Sequence, residues 1–481
     1  MTQADFFSIL PIMVVLVWAL LLLVVDLWIP RERKSITALL SAVGLAVGVG
    51  VSLAQVGTTS LTFNGMIMLD DFAVYLNIIY LVSGIITIAL GYDYLKRMGI
   101  ERSEYYFLLM ISISGMMLIT QAYHLIVVFL ALELMSIPLY ILAGFARPRL
   151  DSEEASLKYF LLGTFSSAFL LYGIALVFGA TQTLGLEGIL SSLQSGGTNM
   201  VLFVAGAVMM MVGFGFKVAA VPFHEWAPDV YQGSPTPVSA FMSVAVKAAG
   251  FAVLLRIFLT AFPGLTVQLV PIVWVIAALT MLVGNLLALN QTNLKRLLAY
   301  SSIAHAGYLM MAFVAASSPE QTGNAVSSML YYLVAYSITT FGAWAVVISL
   351  EQAEAKGLEL EDYSGAGHKY PWLGAAMTVF MLSLSGIPLT IGFWGKFFLF
   401  RTTVQAGFTD LALIGLLGSL ISVYYYLRVV VYMFMRSGEP RVRRDGWISL
   451  VAIGAAVAVV LLAVIPNRLL EVAAQAILRL Q

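Results

Sequence analysis

Long apolar runs separated by short polar breaks fill the chain. A helix that crosses the hydrocarbon core of a bilayer needs about 20 apolar residues. Runs of this kind recur near residues 7–29, 35–54, 72–91, 105–120, 122–145, 154–179, 199–221, 236–262, 267–290, 296–316, 323–350, 372–400, 407–436 and 446–466. The pattern predicts an all-α polytopic membrane bundle of about fourteen transmembrane helices. The fourth run is short, and Gly386 and Pro388 interrupt the twelfth, which can therefore be two pieces. The longest polar connection, 351–371, has mixed charges and reads as a solvated loop with room for a short surface helix.

Composition agrees with a lipid bilayer as the surrounding solvent. The chain is 61% hydrophobic and 10% charged, against about 25% charged for a soluble domain. The run Phe6–Ile29 is too long for a signal-peptide core and no basic stretch precedes it, so it reads as the first span. Net charge is zero, which gives no reason to expect nucleic acid as a partner. The absence of cysteine excludes disulfides and cysteine-ligated iron–sulfur clusters. His124, His224, His305 and His368 are scattered without metal-ligand spacing. No metal or redox cofactor is expected in this chain, and any electrons involved travel elsewhere.

Basic residues give the spans a sidedness. With the N-terminus outside, the odd-numbered loops are cytoplasmic and should be rich in lysine and arginine. They hold Arg31, Arg33, Lys34, Lys96, Arg97, Arg102, Arg147, Arg149, Lys295, Arg296, Lys356, Lys369, Arg436, Arg441, Arg443 and Arg444, and Lys158 stands just inside the sixth span. Seventeen of the 25 basic residues thus fall on one side, although the seventh loop contributes none. The opposite side has Arg401, Arg468 and Arg479. The remaining five, Lys217, Lys247, Arg256, Lys396 and Arg428, lie within spans. This asymmetry supports fourteen spans with both termini on the outer side.

A charge at the bilayer centre costs about 2.5–3.5 kcal/mol on insertion scales and usually faces a bundle interior or a water-filled cavity. Glu133 lies in the fifth span, five residues before Pro138. It is protonated, paired with a cation, or simply bonded to a neighbouring helix. Lys217 lies in the seventh span, five residues before Pro222, with Pro228, Pro235 and Pro237 beyond. A lysine beside a proline break is the pattern of a discontinuous transporter helix, although a lysine snorkelling to the surface fits the position too. Lys247 is about ten residues from either end of the eighth span, near the midplane, where snorkelling is hardest. Lys396 follows the Gly386–Pro388 break of the twelfth span, which echoes the seventh, but the two local sequences do not superimpose cleanly. Arg256 and Arg428 read as anchors. Glu154 and Lys158 stand at the i, i+4 spacing of an ordinary helix-surface ion pair. His305, within the tenth span, suits either a proton relay or packing, and His224 sits at the helix break. A path of lysine and histidine favours protons over sodium, which prefers oxygen ligands.

The segments LALELMSIPLY, GFGFKVAAVPFHEWAPDVYQGSPTPVSAF, GNLLALNQTNLKRLLAYSSIAHAGYLM and MLSLSGIPLTIGFWGKFF closely resemble the antiporter-like membrane subunits of respiratory complex I, the proton-pumping NADH–quinone oxidoreductase. The likeness extends over nearly the whole chain. It implies fourteen helices with two inverted five-helix repeats and broken helices seven and twelve. The implied division is three helices in 1–103, the first repeat in 104–264, the second in 265–437, and a last helix and tail in 438–481. The family's key carboxylate matches Glu133, its paired lysine Lys217, its central lysine Lys247 and its exit-side residue Lys396. Glu154, Lys158, His224, Lys295 and His305 are secondary candidates. Lys396 rather than glutamate, and a chain that ends soon after its last span, favour the N-type subunit nearest the quinone-linked end. The resemblance implies a bacterial inner-membrane protein that works beside other complex I membrane subunits, including neighbouring antiporter-like ones. NADH, FMN, iron–sulfur clusters and quinone are expected in partner subunits. A subunit of a multisubunit sodium/proton antiporter, a non-conducting scaffold and an independent solute carrier are the alternatives.

Overall fold

The computed structural model describes residues 2–30, 33–352, 356–443 and 445–476. Arg31, Arg444 and Arg479, counted above among the loop charges, lie outside the described residues. The first part of the chain forms α1 (Gln3–Val25), α2 (Ser35–Leu53), a hairpin of β1 (Ser60–Thr62) and β2 (Ile67–Leu69), α3 (Asp71–Arg97), α4 (Glu104–Gln121), α5 (Leu125–Ala143) and α6 (Leu150–Thr181). There follow α7 (Leu186–Ser195), α8 (Met200–Val218), α9 (Trp226–Gly233), α10 (Thr236–Phe241) and α11 (Lys247–Thr260). The rest is α12 (Pro263–Leu289), α13 (Leu294–Ala315), α14 (Thr322–Leu350), α15 (Ala366–Lys369), α16 (Pro371–Ser385), α17 (Ile391–Gln405), α18 (Thr409–Met435), α19 (Gly446–Val464) and α20 (Pro466–Gln475).

Each apolar run of the sequence has a helix at its position. Among the described residues twelve helices are long and apolar enough to cross a membrane. The fourth run, α4, is an 18-residue helix outside those twelve. The twelfth run is two short helices, α16 and α17. The hairpin and α7 were not expected from the sequence pattern.

Two breaks shape the interior. After α8, Ala219 takes a left-handed conformation at φ 56° and Pro222 has no N–H with which to continue the helix. After α16, Gly386 turns the chain at φ 82°, where a side chain would be strained, and a Cβ there would press on Lys396 Cδ at 2.8 Å. A third irregularity is a π turn, Met242–Val246, which joins α10 to α11 and ends at Lys247. Single π turns in α-helices occur often at functional sites.

The segment from α10 to α11 is wholly buried, and α13 and α14 nearly so. These helices form the centre. Around them α1, α2, α6, α18 and α19 turn side chains such as Phe165, Leu420 and Leu461 outward, as an apolar solvent allows.

Two expectations are corrected. The described part of the 351–371 connection is packed on one side rather than wholly solvated: Leu358, Leu360, Tyr363 and Ala366 are buried, while Lys356, Glu359, Glu361, Asp362 and Lys369 are exposed. Leu294 N–H donates to Leu358 O (2.8 Å) and Leu360 N–H to Thr292 O (2.9 Å), which ties the loop to the turn before α13. Its apolar residues, spaced between charges, gave too weak a period to be read. The short helix does form, as α15.

Arg256 is likewise no surface anchor. It is fully buried and forms two bonds to Asp70, at 2.9 and 2.8 Å, and a third to Thr120 O at 2.6 Å. Asp70 also caps α3 by accepting from Ala73 N–H at 2.9 Å. The pair joins the ends of α3, α4 and α11. Arg428 does serve a helix end: it donates to Leu289 O at 2.8 Å and to Gln291 O, closing α12.

Removing one partner of a buried ion pair leaves the other charge uncompensated, at a cost of about 3–5 kcal/mol. Asp70→Ala is therefore expected to lower the thermal stability of the purified protein strongly. Asp70→Leu combined with Arg256→Met should be much milder, and equal losses in the two variants would contradict the pairing.

Candidate functional site

The three intramembrane lysines owe their positions to the three backbone irregularities. Lys217 is in the last turn of α8, just before the break. Lys247 follows the π turn, and Lys396 is in the second turn of α17 after the other break. All three are buried. An ammonium in such a place needs hydrogen-bond acceptors or ring faces.

Lys217 Nζ donates to Ser136 Oγ (2.7 Å) and Tyr140 OH (3.2 Å), both on α5. It also lies 5.3, 5.7 and 5.5 Å from the ring centres of Tyr140, Tyr159 and Phe216. Trp226 backs this cage, stacked on Tyr159 at 4.6 Å and on Phe216 at 5.1 Å. Glu133 is on the same helix as Ser136, one turn earlier, but Lys217 makes no direct ion pair with it among the described contacts. Glu133 is half-buried, beside the outward-facing Leu130 and Ile137, and its Oε1 has no hydrogen-bond partner within the chain.

Lys247 Nζ donates to Ser302 O on α13. One turn along α13, His305 is buried with both ring nitrogens engaged: Nδ1 with Tyr332 OH and Nε2 with Tyr426 OH at 3.0 Å. Tyr426 OH also bonds Ser301 Oγ. The next turn of α13 carries Tyr308, whose OH accepts from Asn285 Nδ2 at 3.1 Å, while Asn285 Oδ1 accepts from Tyr425 OH at 2.9 Å. Lys396 Nζ stands 4.8 Å from the Tyr308 ring centre and donates to Ser419 Oγ (2.8 Å) and Ser385 O (3.1 Å). Polar groups thus follow one another from Lys247 through His305 and Tyr308 to Lys396.

Lys217 and Lys247 are joined more loosely. Their helices touch where Gly250, one turn beyond Lys247, meets the end of α8. A Cβ on Gly250 would stand 2.7 Å from Val218 Cγ1 and 3.7 Å from Lys217 Cβ, so glycine permits the approach.

The secondary candidates divide. His305 belongs to the chain of polar groups. Glu154 and Lys158 form a partly exposed ion pair of 2.7 Å. Lys158 also reaches Asp229 at 2.6 Å, and Arg296 reaches Asp229 at 2.5 Å, so the cluster clamps α6, α9 and α13 at one end of the bundle. Burial alone would raise the Asp229 carboxyl, but Lys158 and Arg296 outweigh it and hold the group below the usual carboxylate range. His224 is half-buried at the break, with Nδ1 unpartnered. Lys295 is fully buried and donates to Ser234 O at 2.6 Å. Sequence reasoning missed the hydroxyl and aromatic partners of the lysines: Ser136, Tyr140, Tyr159, Tyr426 and Ser419. A signal existed in tyrosines and serines recurring inside apolar spans.

This geometry defines a polytopic membrane protein with an internal chain of protonatable groups. The model of the family described as NADH:quinone oxidoreductase/Mrp antiporter, TM matches residues 122–422. The NADH-quinone oxidoreductase subunit N of Trichlorobacter lovleyi is 44% identical over 479 residues, covering 98% of this chain and 96% of the relative. That of Chloroflexus aggregans is 46% identical over 436 residues, covering 89% and 88%. Among solved structures, a chain of respiratory complex I from Thermus thermophilus with bound aureothin superposes with a TM-score of 0.82 at 35% identity, covering 96% of this chain and 99% of that one. A chain of the Mrp complex from Dietzia sp. DQ12-45-1b gives a TM-score of 0.87 at 19% identity, covering 99% and 97%, a likeness of fold alone. The chain belongs to the NADH:quinone oxidoreductase/Mrp antiporter family of membrane subunits.

The Tyr159 hydroxyl is buried without a hydrogen-bond partner, so the ring face is what the cage uses. Tyr159→Phe is expected to leave thermal stability within about 0.5 kcal/mol of the parent. Tyr159→Leu should cost about 2 kcal/mol through lost ring contacts. Equal losses in both variants would show that the hydroxyl matters instead.

Proposed function

We propose that this chain is a proton-translocating N-type subunit of a bacterial NADH–quinone oxidoreductase. The observation that carries the reading is the buried series Lys247–His305–Tyr308–Lys396, flanked by Lys217 in its cage. Relatives at 44–46% identity bear that subunit's name, and the complex I chain is nearer in sequence than the Mrp chain.

The chemistry follows from the groups. Each lysine alternates between amine and ammonium, and hydroxyls and serine carbonyls stabilise the ammonium in place. A neutral imidazole donates from one nitrogen and accepts at the other. His305, bonded to a tyrosine hydroxyl on each side, can take a proton at one nitrogen and release one from the other. Ammonium groups along the route repel sodium, which favours protons as the moving ion. Glu133, at the edge of the outward face of α5, is placed to exchange charge with a neighbouring antiporter-like subunit, and its protonation acts on Lys217 across one turn of helix.

In this reading the chain is part of a translocase and holds no redox centre of its own. NADH, FMN, iron–sulfur clusters and quinone belong to partner subunits, whose redox energy drives the protonation changes. The protein resides in the bacterial inner membrane with both termini on the periplasmic side. The fourteen spans are three helices in 1–103, two inverted five-helix repeats in 104–264 and 265–437, and a last helix in 438–481.

Lys217→Ala and Lys247→Ala are each expected to abolish most NADH-driven proton pumping by the assembled complex in proteoliposomes. Normal pumping in both assembled variants would overturn the lysine assignments. Mass spectrometry of the purified assembly should find NADH-oxidising and quinone-binding subunits; sodium/proton antiporter subunits in their place would support the alternative.

A further inference from the structure

Glu351 is a buried carboxylate outside the lysine series. It follows α14, and none of its surface is exposed. Tyr94 OH donates to its Oε1 at 3.0 Å, and Thr236 Oγ1 donates to its Oε2. Thr236 N–H in turn donates to Tyr94 OH at 3.3 Å. Among the described residues the carboxylate is thus held by two neutral hydroxyls rather than by a cation. Lys295 and Arg149 are near enough for their charges to be felt, but their own bonds go to Ser234 O and Asp151. Tyr94, Arg149, Thr236, Lys295 and Glu351 all lie at helix ends that adjoin odd-numbered loops, the side rich in basic residues.

From this point two helix faces lead inward. On α14, Trp344, Thr340, Tyr336 and Tyr332 precede Glu351 at intervals of seven and then four residues, the spacing of one face. On the facing segment, Thr236, Ser243 and Lys247 share a face in the same way. Trp344 Nε1 donates to Ser243 Oγ across the gap at 3.1 Å. Deeper, the hydroxyls of Thr340 and Ser302 are buried and make no well-aligned hydrogen bond among the described residues, with the Tyr336 hydroxyl close to both. Lys247 bonds the backbone carbonyl of that same Ser302, and the Tyr336 ring lies 5.0 Å from His305. The side chains between Glu351 and Lys247 are uncharged, and the hydroxyls and the indole N–H are interspersed with apolar residues such as Ala240 and Val347.

We propose that Glu351 is a proton-exchanging group at the mouth of a branch that feeds Lys247 between α10 and α14. The proposal rests on the reading of Lys247 as a proton site. In each transfer along the branch one O–H bond breaks and another forms, with water and the hydroxyls as carriers, and in the last one an O–H bond breaks and an N–H bond forms. Glu351 gives up its proton, becomes carboxylate and is reprotonated from the aqueous surface. At the inner end the Lys247 amine gains the proton and becomes ammonium.

The test uses the whole complex in proteoliposomes, with NADH oxidation and proton pumping measured together. Glu351→Gln keeps the size and hydrogen-bonding reach of the side chain but cannot exchange a proton. It is expected to lose most of the pumping per NADH oxidised, with recovery in Glu351→Asp. Thr340→Val is isosteric and removes a buried hydroxyl whose nearest polar neighbour is the Tyr336 hydroxyl; it should lower pumping while thermal stability falls by no more than the loss of one weak hydrogen bond. This second variant decides the matter if Glu351→Gln fails to assemble. Normal pumping in both Glu351→Gln and Thr340→Val, beside a Lys247→Ala variant that has lost it, overturns the branch and leaves the lysine reading intact. Normal pumping in Lys247→Ala overturns both.

Discussion

An ammonium group inside an apolar bundle is tolerable only where the protein supplies partners, and much of the interior is arranged around that need. Lys217, Lys247 and Lys396 are buried, and none neutralises its charge by a direct carboxylate contact among the described residues. Carbonyls, hydroxyls and ring faces take that role. Neutral partners stabilise the ammonium less than a carboxylate would, so each site can lose its proton without leaving an uncompensated anion behind. The contrast is Asp70–Arg256, where opposite charges meet at 2.8 Å and the interaction is a fixed tie between helices.

The backbone irregularities belong to the same arrangement. A regular helix already uses one lone pair of each carbonyl, so a break makes carbonyls more available to a cation, although Ser302 O accepts from Lys247 within unbroken α13. The break after α16 frees Ser385 O, which accepts from Lys396. The break after α8 brings Trp226 back against Tyr159 and Phe216 and so completes the Lys217 cage. The close contact at Gly250 then brings the Lys217 and Lys247 helices together. Each of these buried lysines thus stands where helix regularity is given up, a local departure that the surrounding packing has to support.

Much of this was legible in the sequence. Span positions followed from apolar runs of bilayer length, and the breaks from Pro222, Gly386 and Pro388. Lys217, Lys247 and Lys396 stood out because charge is rare in such runs. What could not be read was pairing across distant segments. Arg256 looked like an anchor because Asp70, its partner 186 residues away, precedes a different helix. Glu351 looked like part of a solvated loop because mixed charges surround it in sequence, although in space it is enclosed by α3, α10 and α14. Serine and tyrosine partners carry no charge, so hydropathy does not distinguish them from ordinary packing residues.

The central claim is that the buried lysines act in one series rather than as separate sites. Its most direct measurement compares Lys217→Ala, Lys396→Ala and the double variant for protons pumped per NADH oxidised in the reconstituted complex. Groups that act as a unit are strongly non-additive. A single series predicts that the double variant pumps no less than the worse single variant. Losses that add in full, each lysine removing its own independent share, would contradict it.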